Sequence, residues 1–351
     1  MGRTVITNIQ VLRFFAAVCI LVTHSADLLI AQNSIIFDFP WQGGVDLFFA
    51  ISGFIMTWLT RDRFGERGVP ARFLLRRAIR IVPPYWFFTT MMIGAILLAQ
   101  SHVRWTRLGP AEVIASYAFV PWPRASDGNL NPILSQGWTL NYEAFFYAAF
   151  AIALCFRNGL RWLVAAFILL AVAHYAVPDR LFVLKFYSNP MILEFVAGIA
   201  IALLYIRGVR ISRRGALALG GLAALTFLAM AIAPPLEDDR FLKLGLPASF
   251  LFASFALLPE PPRQGVVRRF LVLGGDASYT LYLSHAFTAN FVALLALHYW
   301  PGNPWWTLAL AVAAAVAVAI ALYRFLERPV TDALSRFAKL GRPTGLQRVA
   351  P

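Results

Sequence analysis

From residue 9 to residue 324 the chain is a succession of apolar runs, each about 17–22 residues long and set off from the next by a short charged stretch. A helix rises ~1.5 Å per residue, so a run of that length matches the ~30 Å hydrocarbon thickness of a bilayer. Ten runs can be delimited, at roughly 9–30, 43–60, 81–99, 141–156, 160–176, 190–206, 215–233, 244–258, 277–297 and 305–324. They predict an all-α polytopic membrane protein of about ten transmembrane helices. Composition agrees, because hydrophobic types supply 60% of the 351 residues and Asp, Glu, Lys and Arg only 14%. Neither an ordinary soluble protein nor a disordered chain looks like that.

The basic residues orient the bundle. With the amino terminus cytoplasmic, 23 of the 31 Lys and Arg fall in the two terminal segments and the even-numbered connections, against seven on the outer side. Arg13 is the remaining one, inside the first run. Loop Lys and Arg are retained in the cytoplasm, so both termini are expected there. The same distribution explains the net charge of +14: a cationic face towards the anionic lipid of a bacterial inner membrane, and no surface for nucleic acid. Residues 1–330 read as one transmembrane domain and 331–351 as a cytoplasmic tail. The stretch 112–122 is too short to span and reads as a partial helix in an external loop. The first run is expected to be kept, not cleaved as a leader, because it carries Arg13 and His24. Cys19 and Cys155 lie inside runs and suggest no disulfide framework, and no His, Cys, Asp and Glu stand at metal-ligand spacing.

Ionisable side chains within the runs are few. Each is costly unless it faces a polar interior, so each marks a candidate site. Arg13 and His24 are eleven positions apart, three turns plus ~20°, and share one helix face with a rise of about 16 Å between them. They line a path across the membrane, or else are a snorkelling Arg and a hydrogen-bonded structural His. Arg77 and Arg80, at i and i+3 before Pro83-Pro84-Tyr85-Trp86, project from one side of a helix end. That suits phosphate, and it equally suits anchoring at the inner surface. Asp46, in Gly44-Val45-Asp46-Leu47-Phe48-Phe49, and Glu143, in Gln136-Gly137-Trp138-Thr139-Leu140-Asn141-Tyr142-Glu143, enter their runs from outside, near the depth of His24. Either carboxylate suits the task of orienting an imidazole that acts as general base, although Asp46 also reads as a helix N-cap. His285 closes Ser278-Tyr279-Thr280-Leu281-Tyr282-Leu283-Ser284-His285, about 12 Å into the ninth run, either as a second functional imidazole or as a buried structural one. His174 and Glu194 have no partner that the sequence names.

Taken in order, these residues resemble the membrane-bound acyltransferase 3 family, enzymes that acylate bacterial surface and exported polysaccharides. The resemblance rests on Arg13 and His24 with ten residues between them, Gly44 to Phe54, Arg77-Ala78-Ile79-Arg80 with Pro83-Pro84-Tyr85-Trp86, Trp138-Thr139-Leu140 leading to Glu143 and Phe146-Tyr147, Ser278-Tyr279 through His285, and Glu327-Arg328-Pro329. The family's common pattern has a second carboxylate directly after the first, where this chain has Ala144. The segment Thr139 to Glu143 looks most like the exopolysaccharide-acetylating branch.

The resemblance implies transfer of an acetyl group from cytoplasmic acetyl-CoA to a hydroxyl of an exported or lipid-linked polysaccharide, without a metal. It implies that Arg13, Arg77, Arg80 and Tyr282 hold the donor, that His24 is the base, that Glu143 or Asp46 orients it, and that His285 relays a proton or lines the donor path. A polar channel is expected to lead from Arg77 and Arg80 to His24. The partners implied are acyl-CoA, a polysaccharide or lipid-linked oligosaccharide acceptor, and membrane lipid. The rival is a transporter or flippase for a glycan or small anion, but the matching broken helices of such repeats are not visible in the two halves.

Overall fold

A computed structural model describes residues 6–29, 41–98, 108–232, 240–261, 265–299 and 303–340. Among these residues the chain is helical and forms no strand. The first seven α-helices are α1 (Thr7–Leu29), α2 (Gly43–Thr60), α3 (Val69–Leu98), α4 (Pro110–Ala118), α5 (Trp138–Leu154), α6 (Gly159–Ala173) and α7 (Phe182–Ser188). The rest are α8 (Leu193–Ile206), α9 (Arg213–Ile232), α10 (Leu246–Ala256), α11 (Val266–Asp276), α12 (Ser278–Tyr299), α13 (Pro304–Leu322) and α14 (Arg328–Phe337). Residues 341–351 of the expected tail, and Arg104, Arg107 and Arg263 of the charge count, lie outside the described residues.

Each predicted run overlaps a helix, but a helix is not always a crossing. Among the described residues five helical stretches are long and apolar enough to cross a membrane: Thr7–Ala26, Gly43–Thr60, Val69–Leu98, Gly159–Ala176 and Pro304–Phe337. A sixth is added if Phe182–Ser188 and Pro190–Ile206, bent by 41° at their junction, count as one. Length accounts for part of the difference: α5 has 17 residues, and Phe241–Ala256, the helical stretch that contains α10, also falls short of the ~20 that a bilayer asks for. A multi-pass membrane protein is what these helices support. α3 also begins twelve residues before the apolar run it contains, so Arg76, Arg77 and Arg80 are helical and not part of a preceding loop.

The chain divides into two compact units. One holds the described parts of Met1–Arg61 and Leu193–Arg328. Its tightest crossing is α2 on α8, where Gly53 meets the backbone carbonyl of Phe195 and Gly198 meets that of Ala50, with no room for a Cβ at either place. In a lipid setting, packing of this kind draws helices together, because the surrounding tails are as apolar as the side chains. Beside the glycines Phe49 stacks on Phe195 at 4.7 Å, and Phe54 meets the edge of Phe252 at 5.4 Å. The start of α1 is pinned by Glu260, which accepts the Asn8 N–H at 3.0 Å and the Thr7 hydroxyl and pairs with Arg268 at 3.3 Å. A carboxylate there satisfies donors that a helix start leaves open.

The other unit holds Asp62–Ile192 and Pro329–Gly341. In it α3 and α5 run antiparallel, with Phe73 stacked on Phe150 at 5.3 Å and Tyr85 packed on Gly137, whose missing Cβ would lie 2.7 Å from the ring. α4 begins with Pro110 at its first position and ends at Phe119 in the left-handed region (φ 58°), a short helix that overlaps the stretch 112–122 where a partial one was expected. Trp86 of α3 donates to the Tyr117 carbonyl at 3.0 Å. Buried Arg124 lies 3.8 Å from Glu112 and 3.4 Å from Asp127, and donates to the carbonyls of Asn131 and Pro132. It thereby fixes the turn that leads into α5. Burial lowers the Arg124 pKa, while the Asn129 amide holds the Asp127 carboxyl below its ordinary value.

Gly198→Leu drives a side chain into the Ala50 backbone, and a destabilisation of about 3 kcal/mol is expected from overpacking of this severity. A thermal melt of the detergent-solubilised protein measures it, and an unchanged midpoint is incompatible with the α2–α8 crossing described above.

Candidate active site

Both imidazoles singled out in the sequence come together in the first unit. α12 carries Ser278, Tyr282 and His285 at i, i+4 and i+7, so all three share one face. α1 lies against that face. Arg13, buried, donates to the Ser278 hydroxyl at 2.9 Å and to Gln10 Oε1 at 3.3 Å. Nearer the other end of α1, the exposed His24 stacks on His285, the rings 5.3 Å apart and 20° from parallel. Arg13 and His24 thus share a face, as their spacing predicts.

His285 is 1% exposed, and its Nδ1 faces the carbonyls of Tyr282 at 2.8 Å and Leu281 at 3.2 Å. A carbonyl accepts only from N–H, so Nδ1 carries the proton and Nε2 presents a lone pair. That Nε2 is buried and has no hydrogen-bond partner among the described residues. Tyr282 turns its ring to Phe48, 6.3 Å away, and supplies its carbonyl to His285. Two residues after Ser278, the Thr280 hydroxyl bonds to Glu327, tying α12 to the end of the Tyr323–Glu327 turn.

Asp46 has partners other than an imidazole. It lies in the first turn of α2, whose N-cap is Gln42, so it is not the cap that its position suggested. Arg240 donates to Asp46 Oδ2 at 2.9 Å and to Gln42 Oε1 at 3.2 Å. Glu194, fully buried, faces the same carboxyl. Neither Glu194 oxygen nor Asp46 Oδ1 has another partner among the described residues. Two carboxyls against one guanidinium leave a negative charge unmatched unless they share a proton. No partner for Glu194 is visible in the sequence, since Asp46 and Arg240 are 148 and 46 positions away. The one usable signal was general: a buried acid in an apolar run requires a cation somewhere. His174 is structural, its Nδ1 2.9 Å from the Ser188 hydroxyl.

The remaining predicted residues belong to the second unit. Arg77, half-buried on α3, has its guanidinium 6.0 Å from the centre of the Tyr147 ring, and Tyr147 donates to Glu143 Oε1 at 2.9 Å. Glu143 is close enough to act electrostatically on Arg77. Arg80 follows one turn later on α3 and is half-buried. No group of three or more His, Cys, Asp and Glu stands ready to hold a metal among the described residues.

Helices of membrane-crossing length beside a pair of stacked imidazoles, one of them buried, define a multi-pass membrane protein with polar side chains inside its helical bundle. The acyltransferase 3 family model, whose description is acyltransferase domain, matches residues 6–324. The chain is also 38% identical over 299 residues to the exopolysaccharide production protein ExoZ of Rhizobium meliloti (strain 1021), across 82% of this chain and 88% of that one. No solved structure matches it. The chain belongs to the acyltransferase 3 family and is an acyltransferase.

Replacing Arg240 by Gln strands two buried carboxyls, and a loss of about 3 kcal/mol is expected, the low end for a broken buried pair because Arg240 is partly exposed. Adding Asp46→Asn removes the stranded charge and recovers most of the loss in a denaturation series. If the double variant is no more stable than the single one, the pairing carries no such weight.

Proposed function

We propose that the protein moves an acetyl group from acetyl-CoA to a hydroxyl of an exported or lipid-linked polysaccharide in the bacterial inner membrane. The observation that carries this reading is the stacked His24–His285 pair, in which one ring has its tautomer set and its Nε2 lone pair unclaimed. The relative's name, an exopolysaccharide production protein, supports the acceptor class.

In the proposed reaction the sugar oxygen attacks the thioester carbonyl while an imidazole nitrogen takes the hydroxyl proton. The carbon–sulfur bond breaks, coenzyme A leaves as thiolate, and the imidazolium returns the proton to sulfur. His24, the exposed member of the pair, is the base in this reading. His285 stacks against it and lines the donor path with its Nε2 lone pair. Asp46 is engaged by Arg240 and Glu194, so its share in the reading is to hold α2 in place instead of orienting His24.

Arg77 and Arg80 bind the donor's phosphates by charge-assisted hydrogen bonds, with Glu143 and Tyr147 steadying Arg77. Arg13 and Tyr282 contribute to the donor site from α1 and α12. Ten crossings with both termini in the cytoplasm, residues 1–330 as the transmembrane domain, and membrane lipid as a partner complete the proposal.

Membranes containing the protein, incubated with radiolabelled acetyl-CoA and candidate glycans, should transfer label to the glycan. His24→Ala and His285→Ala should each lower transfer by about 10²-fold or more without loss of folded protein, as removal of a proton-transfer group does. Arg77→Ala and Arg80→Ala should raise the KM for acetyl-CoA by about tenfold, with a smaller effect on kcat. Near-wild-type transfer by His24→Ala excludes it as the base, and movement of an unmodified glycan across the membrane points to a transporter instead.

A further inference from the structure

α3 and α5 meet around a group of buried polar atoms that the packing leaves unsatisfied. Asn141 is 0% exposed, and neither its amide nitrogen nor its oxygen has a hydrogen-bond partner among the described residues. On α3, Tyr85 and Thr89 are equally buried, one turn apart; their hydroxyls face each other outside ordinary hydrogen-bond geometry, and neither has another partner among the described residues. Arg77 Nε is likewise buried and unclaimed.

The helix register brings these atoms into line. Phe73 lies against Phe150, Arg77 against Tyr147 and Tyr85 against Gly137. In an antiparallel pair that sequence of contacts sets Asn141 between the levels of Arg77 and Tyr85. Two backbone carbonyls of α3 lie near the same level along its axis. Pro83 and Pro84 lie inside α3 and have no N–H, so the carbonyls of Ile79 and Arg80 cannot receive the donors normally found four residues on.

The array therefore begins with guanidinium groups at Arg77 and Arg80 and continues about 12 Å along α3, from Arg77 to Tyr85, as neutral donors and acceptors. An inorganic phosphate matches only the first part, having no N–H to give the freed carbonyls. An anionic head that carries a neutral arm with amides matches both parts, each amide N–H finding a carbonyl and each amide oxygen an Asn or Tyr donor. That is the chemistry of a coenzyme A thioester.

We propose that Asn141, the Ile79 and Arg80 carbonyls and the Tyr85 hydroxyl seat the amide-bearing arm of the acyl donor, in continuation of the phosphate site at Arg77 and Arg80. The inference rests on the acyl-CoA reading of the donor given above.

The test is calorimetric binding to the purified full-length protein of two probes: acetyl-CoA, and adenosine 3′,5′-bisphosphate, which offers a phosphorylated head without the arm. Asn141→Leu, nearly isosteric, should weaken acetyl-CoA binding by about tenfold and leave the bisphosphate unchanged. Tyr85→Phe, which removes one oxygen, should act in the same direction, whereas Arg77→Ala should weaken both probes. Retained bisphosphate binding also certifies that the Asn141 variant is folded. The proposal is overturned if Asn141→Leu and Tyr85→Phe leave both affinities intact, or lower the two in parallel. If the wild-type protein binds neither probe, the acyl-CoA reading itself falls, and this inference with it.

Discussion

A charged or hydrogen-bonding side chain carried into an apolar bundle must meet a partner there, and the way this chain meets that demand arranges the rest. Between helices in lipid, apolar contact alone gives little direction, because a helix loses nothing by exchanging a leucine neighbour for an acyl tail. Polar contacts cannot be exchanged so freely. Arg13 with Ser278, Asp46 with Arg240, and Thr280 with Glu327 join residues 265, 194 and 47 positions apart. Each fixes a helix in rotation as well as in depth. The glycines of α2 and α8 then allow the close approach that these pairings require, and the aromatic rings of Phe49, Phe54, Phe195 and Phe252 fill the space beside them.

How much of this could be read beforehand depends on the range of the interaction. Periodicity is local, so the shared face of Arg13 and His24 followed from eleven positions at ~100° each. The grouping of Ser278, Tyr282 and His285 is equally local, and helix α1 meets both sets at once. The helical content was legible for the same reason, since every apolar run overlaps a helix. Crossing is a stricter condition than helicity. It needs length as well, and α5 and the stretch Phe241–Ala256 that contains α10 are helical yet shorter than the ~20 residues a crossing asks for.

Pairing across the chain was not legible. Asp46 was placed beside an imidazole or at a helix cap because those were the partners that nearby sequence offered, whereas its cation lies 194 positions further on. Glu194 had no visible partner for the same reason, although its cost in an apolar run required one. Asn141 escaped notice in a different way. A lone Asn near a helix start usually reads as solvated, and only the packing of α5 on α3 shows it enclosed with nothing to bond.

Ala144 acquires a physical meaning in this setting. Glu143 and Tyr147 form a single acid–phenol pair beside the single guanidinium of Arg77, so one carboxylate faces one cation at that level of α5. A second carboxylate at 144 would project about 100° around the helix from Glu143. The neighbouring neutral positions, Asn141 above all, are consistent with a surface meant for amides and hydroxyls more than for further charge. An α5 with one acid and one unclaimed carboxamide therefore suits a ligand whose charge ends at Arg77 and Arg80 and whose remainder is polar but neutral.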